Sequence, residues 1–509
     1  MNITSFAFLC FYAVVLFLYY LIPKKAQWML LLAASILYFL TAGELWLIAY
    51  PAVSVTAVFI GALCIEKTKE PVKRKRVLSF VVLFCLVLLI VLKYSNFGAY
   101  TYNGLAARIP FLPGSLPELH FLVPLGISFY TLALLGYLFD VYYEIGRAQH
   151  NFLKFALFGF YFPVVISGPI LRYRDVEGQL YEGHKLDYKQ VTYGLQRILW
   201  GFFKKLVIAE RMAVIVNTVY GDYASYPGAY IFIATVCFAF QLYADFSGGI
   251  DIVIGISETF GIRIAENFST PFFSRSIQEF WRRWHITLGV WMKDYLFFPL
   301  QRTRRFSDMQ AALKKRFGKK AGKKMAAYGA MFVLWFAVGM WHGGSWKLIV
   351  GSGILHWSYI VLGEIGQPLW NKLYAVFKVK KDGRVFGIFQ QVRTFLLVCG
   401  GFLFFRSACF FTACDMYRKM FTTWNPQVFW NGALLQLGLD PVEFVIAVVS
   451  LLLLLAVSVL QQKGSVRDRL AGKNIAVRWI VLYALLFYVI LLGYYGPGYS
   501  AAEFIYQGF

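Results

Sequence analysis

The stretch VLSFVVLFCLVLLIVL, residues 77–92, carries no charge and directly follows the basic run of residues 73–76. An uncharged apolar stretch that approaches the ~20 residues needed to cross a bilayer indicates a transmembrane helix. Similar stretches recur along all 509 residues, and about 10–12 can be drawn near this length. They cover residues 6–22, 28–41, 45–65, 77–92, 121–142, 152–170, 229–254, 326–340, 348–362, 385–405, 442–460 and 480–495. The sequence therefore predicts an all-α, multi-pass membrane protein, organised as one transmembrane domain over residues 1–509.

The composition supports a membrane protein and argues against nucleic-acid binding. Hydrophobic residues make up 59% of the chain and charged residues 15%, whereas soluble domains carry about 25% charged residues. The net charge of +24 arises largely from basic residues in loops between apolar stretches, at 66–76, 302–324, 372–384 and 463–478. Positive loops stay on the cytoplasmic side, so these loops, together with Lys24 and Lys25, predict an N-terminus outside the cytoplasm.

Two of the six histidines lie beside tryptophans in apolar surroundings. His285 ends the run FWRRWH at residues 280–285, and His342 lies in MWHGGSW at residues 340–346. A charge inside a membrane costs about 2.5–3.5 kcal/mol on insertion scales, so we expect both imidazoles to be neutral. A neutral imidazole is suited to taking a proton from a hydroxyl, which indicates group transfer onto an alcohol. The other histidines are interpreted as solvated or packed side chains: His120, His150, His184 and His356.

Carboxylates within apolar stretches favour a competing interpretation. Asp140, Asp245, Asp251 and Glu258 are such residues. In a transporter they would relay protons or bind cations; alternatively, they pair with a nearby arginine or cap a broken helix. The chain has no P-loop, no GxSxG and no HExxH motif, and its cysteines and histidines lack zinc spacing. These patterns speak against ATP as a direct substrate, a serine triad and a metal site.

A series of short blocks runs along nearly the whole chain. They are VPLGISFY at 123–130, SGPILRYRD at 167–175, DFSG at 245–248, ENF at 266–268, FWRRWH at 280–285, KDY at 293–295, WHG at 341–343 and FIY at 504–506. In this order the blocks resemble the membrane-bound O-acyltransferase family. The resemblance is to its bacterial branch, which contains the alginate O-acetylation membrane proteins and their D-alanyl-transferring relatives.

The resemblance implies a fold and a set of site residues. The fold is a ring of transmembrane and re-entrant helices around a thin central tunnel. His342 is the catalytic histidine by this resemblance, and His285 is the second member of the pair. We expect further side chains to line the tunnel, where the tryptophans would keep water from the acyl donor: Trp341, Trp281, Trp284, Asp245, Ser247 and Arg172. Tyr506 is a candidate acyl relay at the tunnel mouth.

The resemblance also implies an activity, a location and partners. The protein would take an acyl group, most simply acetyl, from acetyl-CoA or another thioester on the cytoplasmic side, without a bound cofactor. It would lie in the bacterial cytoplasmic membrane, among lipids, and serve O-acetylation of an extracytoplasmic polysaccharide. A separate outside acetyltransferase or acceptor-binding protein is the expected partner. Two alternatives stay open: D-alanyl transfer to teichoic acid from a carrier protein, and a non-catalytic polysaccharide or ion transporter.

Overall fold

The computed structural model describes residues 2–41, 43–109, 111–119, 121–165, 168–495 and 505. Within these residues the chain is helical, and its one β-bridge is an antiparallel pairing of Phe268 with Trp284. Eight of the described helices are long and apolar enough to cross a membrane: Leu45–Lys67, Pro71–Ala106, Gly228–Thr259, Lys319–His342, Trp346–Ile365, Arg384–Arg406, Pro441–Gln461 and Ile475–Leu492. Phe6–Leu21 and Ile127–Tyr142 are shorter apolar helices. The prediction of an all-α, multi-pass membrane protein is thereby confirmed.

The remaining helices are short and lie between these spans. They are Gln27–Thr41, Phe152–Phe160, Phe162–Val165, Tyr173–Tyr181, Tyr188–Phe202, Phe203–Ala209, Glu210–Gly221, Ile277–Arg283, Ile286–Met292, Lys293–Phe297, Phe298–Gln301, Arg304–Phe317, Gln367–Val376, Phe410–Thr422 and Val466–Ala471. Short 3-10 turns occupy Lys24–Ala26, Tyr223–Ser225, Pro271–Phe273, Pro426–Phe429 and Ala433–Gln436.

Several predicted boundaries were wrong. Residues 152–170 do not form one span, because the helix ends at Tyr161 (φ −49°, ψ 102°). Pro163 lies two residues further on, and a proline has no N–H for the hydrogen bond that a continuous helix would require. The region 302–324 is not a loop, because Thr303 accepts a hydrogen bond from the N–H of Phe306 at 3.2 Å and caps the Arg304–Phe317 helix.

One stretch that was not predicted as a span is helical throughout. Tyr188–Phe202 continues through a π-helical segment, Phe203–Ala209, into Glu210–Gly221. Four charged residues near its centre are buried: Lys204, Lys205, Glu210 and Arg211. Buried charges require partners, and those partners are not visible in local hydropathy.

Contacts divide the chain into two compact units. The first comprises Met1–Lys205, Phe246–Glu266 and Ala471–Phe509, and the second comprises Leu206–Asp245 and Asn267–Leu470. The organisation of residues 1–509 as a single membrane domain stays a prediction.

The first unit contains a buried network of charges. Lys204 Nζ lies 2.5 Å from Asp251 Oδ2 and donates a hydrogen bond to Ser247 Oγ at 2.8 Å. Arg197 donates to Asp251 Oδ1 at 2.9 Å and to Glu266 Oε1 at 2.6 Å. Asp251 is therefore paired with two cations. Pairing of this kind was the alternative to a role of the carboxylate in transport.

In the second unit, small residues bring the end of the Lys319–His342 helix close to the next helical segment. A Cβ at Gly339 would lie 2.8 Å from Ile349 Cα, and one at Gly353 would lie 2.6 Å from the carbonyl oxygen of Trp335. Such distances leave no room for a side chain, and small residues commonly mark close helix contacts in membranes. This packing fixes the position of His342, the last residue of its helix.

Candidate active site

His285 lies in a tight connection between two short helices. It follows the helix Ile277–Arg283 by two residues and directly precedes Ile286–Met292. Its backbone is left-handed, with φ 47° and ψ 51°, a conformation that is uncommon for residues other than glycine. The antiparallel pairing of Phe268 with Trp284 holds this connection beside the segment that starts at Asn267.

Asn267 is the polar neighbour of His285. Its side chain is buried, and its Oδ1 lies 3.3 Å from His285 Nδ1. The same oxygen accepts hydrogen bonds from the backbone N–H of Thr287 at 3.0 Å and from Thr287 Oγ1 at 2.9 Å. The backbone oxygen of Asn267 accepts from Ile286 N at 3.0 Å. Asn267 thus holds both the side chain of His285 and the start of the following helix.

His342 lies close to His285, and the ring of Trp341 contacts both imidazoles. The Trp341 ring meets the His285 ring edge to face at a centroid distance of 5.3 Å and the His342 ring at 5.2 Å. The ring of Phe405 packs against the His342 ring at a centroid distance of 5.7 Å. His285 is 1% exposed and His342 2% exposed. The structure therefore brings together the two histidines that the resemblance paired.

Trp284 and Trp281 shortly precede His285 in the sequence but pack in different surroundings. Trp284 is buried and stacks on Phe280 at 5.4 Å, with Phe402 at 5.3 Å. Trp281 meets His356 edge to face at 4.9 Å. The Arg384–Arg406 helix therefore contacts Trp284 through Phe402 and His342 through Phe405, which makes it a wall of the site.

Burial decides the charge state of His285. Desolvation, followed by the nearby His342, holds the pKa of the His285 imidazole well below its usual value. Burial disfavours the charged form of an imidazole, so the neutral form is the stable one. The site is thus aromatic, buried and uncharged at this imidazole.

The other predicted site residues lie in different surroundings. Asp245 is buried in the Gly228–Thr259 helix and is the last residue of that helix assigned to the second unit. Ser247 and Arg172 belong to the first unit, where Ser247 accepts from Lys204 and Arg172 precedes the Tyr173–Tyr181 helix. Tyr506 lies outside the described residues. The tunnel assignments and the acyl-relay role of Tyr506 stay predictions.

Two residues of the site were missed from sequence. Asn267 stands in the ENF block at 266–268, which carried no assigned role, and Phe405 lies in an apolar span. The block was a signal for Asn267, whereas nothing in sequence separates Phe405 from other phenylalanines. Among the described residues, no group of three or more His, Cys, Asp or Glu side chains is placed to hold a metal ion.

Comparison with known proteins gives one family match and several relatives. A sequence model of the MBOAT, membrane-bound O-acyltransferase family, matches residues 142–313, which include His285. A probable alginate O-acetylase AlgI of Pseudomonas aeruginosa is 32% identical over 83% of this chain and 75% of its own length. A peptidoglycan O-acetyltransferase of Helicobacter pylori is 30% identical over 52% of this chain and 50% of its own. A teichoic acid D-alanyltransferase of Bacillus subtilis is 31% identical over 55% of this chain and 68% of its own.

Proposed function

The chain belongs to the membrane-bound O-acyltransferase family, and we propose that it serves the O-acetylation of a polysaccharide outside the cytoplasm. It is an O-acyltransferase, which the family and the relatives' activities establish together. What we propose is that the transferred group is acetyl and that the acceptor is a polysaccharide. The observation that carries it is the buried pair of His285 and His342, joined by the ring of Trp341.

The proposed reaction uses the neutrality of this pair. His342 deprotonates or orients the acceptor hydroxyl as its oxygen attacks the thioester carbonyl. The new C–O bond forms, the C–S bond breaks, and the proton passes to the departing thiolate. His285 positions the thioester or the acceptor, and Trp281, Trp284 and Trp341 exclude water that would hydrolyse the donor.

Acetyl transfer is favoured over D-alanyl transfer by the extent of similarity. The alginate O-acetylase of Pseudomonas aeruginosa matches 83% of this chain, whereas the Bacillus subtilis D-alanyltransferase matches 55%. A second O-acetyltransferase, which acts on peptidoglycan, supports a glycan acceptor. Transfer of D-alanine from a carrier protein to teichoic acid is the second candidate, because that relative shares about as much identity where it aligns.

The setting of the reaction is part of the proposal. The donor is acetyl-CoA or another acyl thioester on the cytoplasmic side, and the acyl group crosses through the tunnel of a bacterial cytoplasmic membrane protein. The N-terminus is outside, and a separate extracytoplasmic acetyltransferase or acceptor-binding protein completes the transfer. On this route Tyr506 is the candidate acyl relay.

The test is analysis of the esters that the cell's polysaccharides carry. We expect His342→Ala to abolish O-acetyl release by mild alkali, with the protein still present in the membrane. His150→Ala is the matched control, because the His150 side chain is 67% exposed and pairs with Glu66 at the surface. Normal acetylation in His342→Ala would contradict the role of this residue. Release of D-alanine instead of acetate from the wild-type strain would replace the proposal with its alternative.

A further inference from the structure

The orientation of the Asn267 amide follows from one obligate donor. The backbone N–H of Thr287 points at Asn267 Oδ1 at 3.0 Å, and a backbone N–H can only donate. The amide oxygen must therefore face it, since the opposite amide orientation would place two donors against each other. The hydroxyl of Thr287 reaches the same oxygen at 2.9 Å.

The fixed amide in turn fixes the proton on His285. The same Oδ1 lies 3.3 Å from His285 Nδ1, and an amide oxygen can only accept. The contact is favourable when Nδ1 carries the hydrogen. A neutral imidazole has one N–H, so Nε2 is then the nitrogen with the lone pair. The backbone N–H of Thr287 thus sets the orientation of the Asn267 amide, and this amide sets which ring nitrogen of His285 carries the hydrogen.

We propose that Asn267 is a positioning residue that holds His285 in its Nδ1–H tautomer and directs the Nε2 lone pair to the acceptor hydroxyl. This inference rests on the proposed acyl transfer and narrows it. An imidazole whose Nε2 is an acceptor cannot donate a hydrogen bond to a thioester carbonyl. His285 therefore serves the alcohol and not the acyl donor, which resolves the two roles left open above.

The first test reads the tautomer directly and needs no acyl transfer. The protein is prepared with ring-¹⁵N histidine in lipid bilayers, and the His285 signals are identified by their loss in His285→Gln. We expect a protonated Nδ1 and an unprotonated Nε2. Thr287→Val keeps the backbone N–H and should keep this tautomer, whereas Asn267→Leu should lose it. A protonated Nε2 in the wild type, or an unchanged tautomer in Asn267→Leu, would overturn the proposal even if acyl transfer is confirmed.

The second test separates positioning from folding. In Asn267→Asp, an oxygen still accepts from Thr287 and from His285 Nδ1. The replaced Nδ2 has no hydrogen-bond partner among the described residues, so this substitution removes no hydrogen bond of that atom. The new carboxylate favours the imidazolium, whereas burial and the nearby His342 act on His285 in the opposite direction.

The pH profile of acyl transfer should therefore change in a defined direction. A raised pKa keeps His285 protonated to higher pH, so the acid limb of the Asn267→Asp profile should move to higher pH. Asn267→Leu should lower kcat by about 100-fold, a loss that misplacing a reacting group can cause. An unmoved acid limb in Asn267→Asp, with the protein folded and active, would show that Asn267 is only structural.

Discussion

Replacing Asp251 should destabilise the protein strongly, because two cations depend on this carboxylate. The side chain of Lys204 is 4% exposed and that of Asp251 14% exposed, with Nζ and Oδ2 2.5 Å apart. Arg197, 13% exposed, shares the carboxylate at 2.9 Å. Removing one partner of a buried ion pair costs about 3–5 kcal/mol, mainly because the remaining charge is left uncompensated.

The variants differ in what they leave behind. In Asp251→Asn, Lys204 loses the carboxylate at 2.5 Å and keeps the hydroxyl of Ser247, whereas Arg197 still has Glu266. In Lys204→Met, Asp251 remains paired with Arg197, so we expect a smaller loss. In the double variant the lysine that lost this carboxylate is gone, so it should be more stable than Asp251→Asn alone. Coupling between contacting residues is commonly about 0.5–3 kcal/mol.

The measurement is the melting temperature of the purified protein in detergent, compared across the three variants. Glu70→Gln is the control, because Glu70 pairs with Lys73 at the surface, where both side chains are more than half exposed. Exposed pairs contribute no more than about 1 kcal/mol. A double variant that melts below Asp251→Asn would refute the argument that the loss of this carboxylate from Lys204 causes the destabilisation.

Three further variants test packing and charge in the second unit. Gly339→Leu should destabilise the protein by at least about 1–3 kcal/mol, because a Cβ at this position would lie 2.8 Å from Ile349 Cα. A Cβ at Gly329, on the same helix, would meet no neighbouring atom of the described residues within 4 Å, so Gly329→Leu should melt near the wild type. His356→Phe should keep acyl transfer, because His356 is buried among aromatic rings and its Nδ1 has no hydrogen-bond partner among the described residues; loss of activity in a folded variant would give it a chemical role. The pKa of His285 is lowered by burial in the folded protein. Below about pH 6.5 the His285 imidazole is therefore protonated in the unfolded chain but not in the folded one, and the free energy of unfolding decreases as the pH falls through that value. His285→Gln should therefore show a shallower fall of melting temperature with acidification, and an equally steep fall would contradict the neutral assignment.

The membrane spans and the histidine pair were predictable because their signals are local. Uncharged runs such as residues 77–92 can be recognised as membrane spans without knowing what they contact, although the helix there extends over Pro71–Ala106. His285 and His342 were recognisable from the blocks that surround them. The pairing of two residues so far apart in sequence came from the resemblance, and the ring of Trp341 accounts for it physically.

The features that escaped prediction depend on contacts between distant residues. The helical stretch 188–221 contains Lys204 and Arg211, whose charges lower its hydropathy, and the partner of Lys204 at Asp251 is far along the chain. A buried lysine cannot be distinguished from a loop lysine until its carboxylate is located. Asn267 was overlooked for the same reason, because its role arises only where Oδ1 meets Thr287 and His285.

An amide partner suits His285 better than a carboxylate would in this environment. In serine hydrolases a buried aspartate holds the histidine tautomer and also stabilises the imidazolium that forms during catalysis. An asparagine fixes the same tautomer through Oδ1 without placing a charge in an apolar site, where that charge would be costly. It also stabilises the imidazolium less, so His285 can accept a hydrogen bond from the hydroxyl but is a poor store for its proton. The single hydroxyl proton would then pass on to the departing thiolate, as in the reaction proposed above. The identity of residue 267 is thus a reason to assign the orientation of the alcohol to His285.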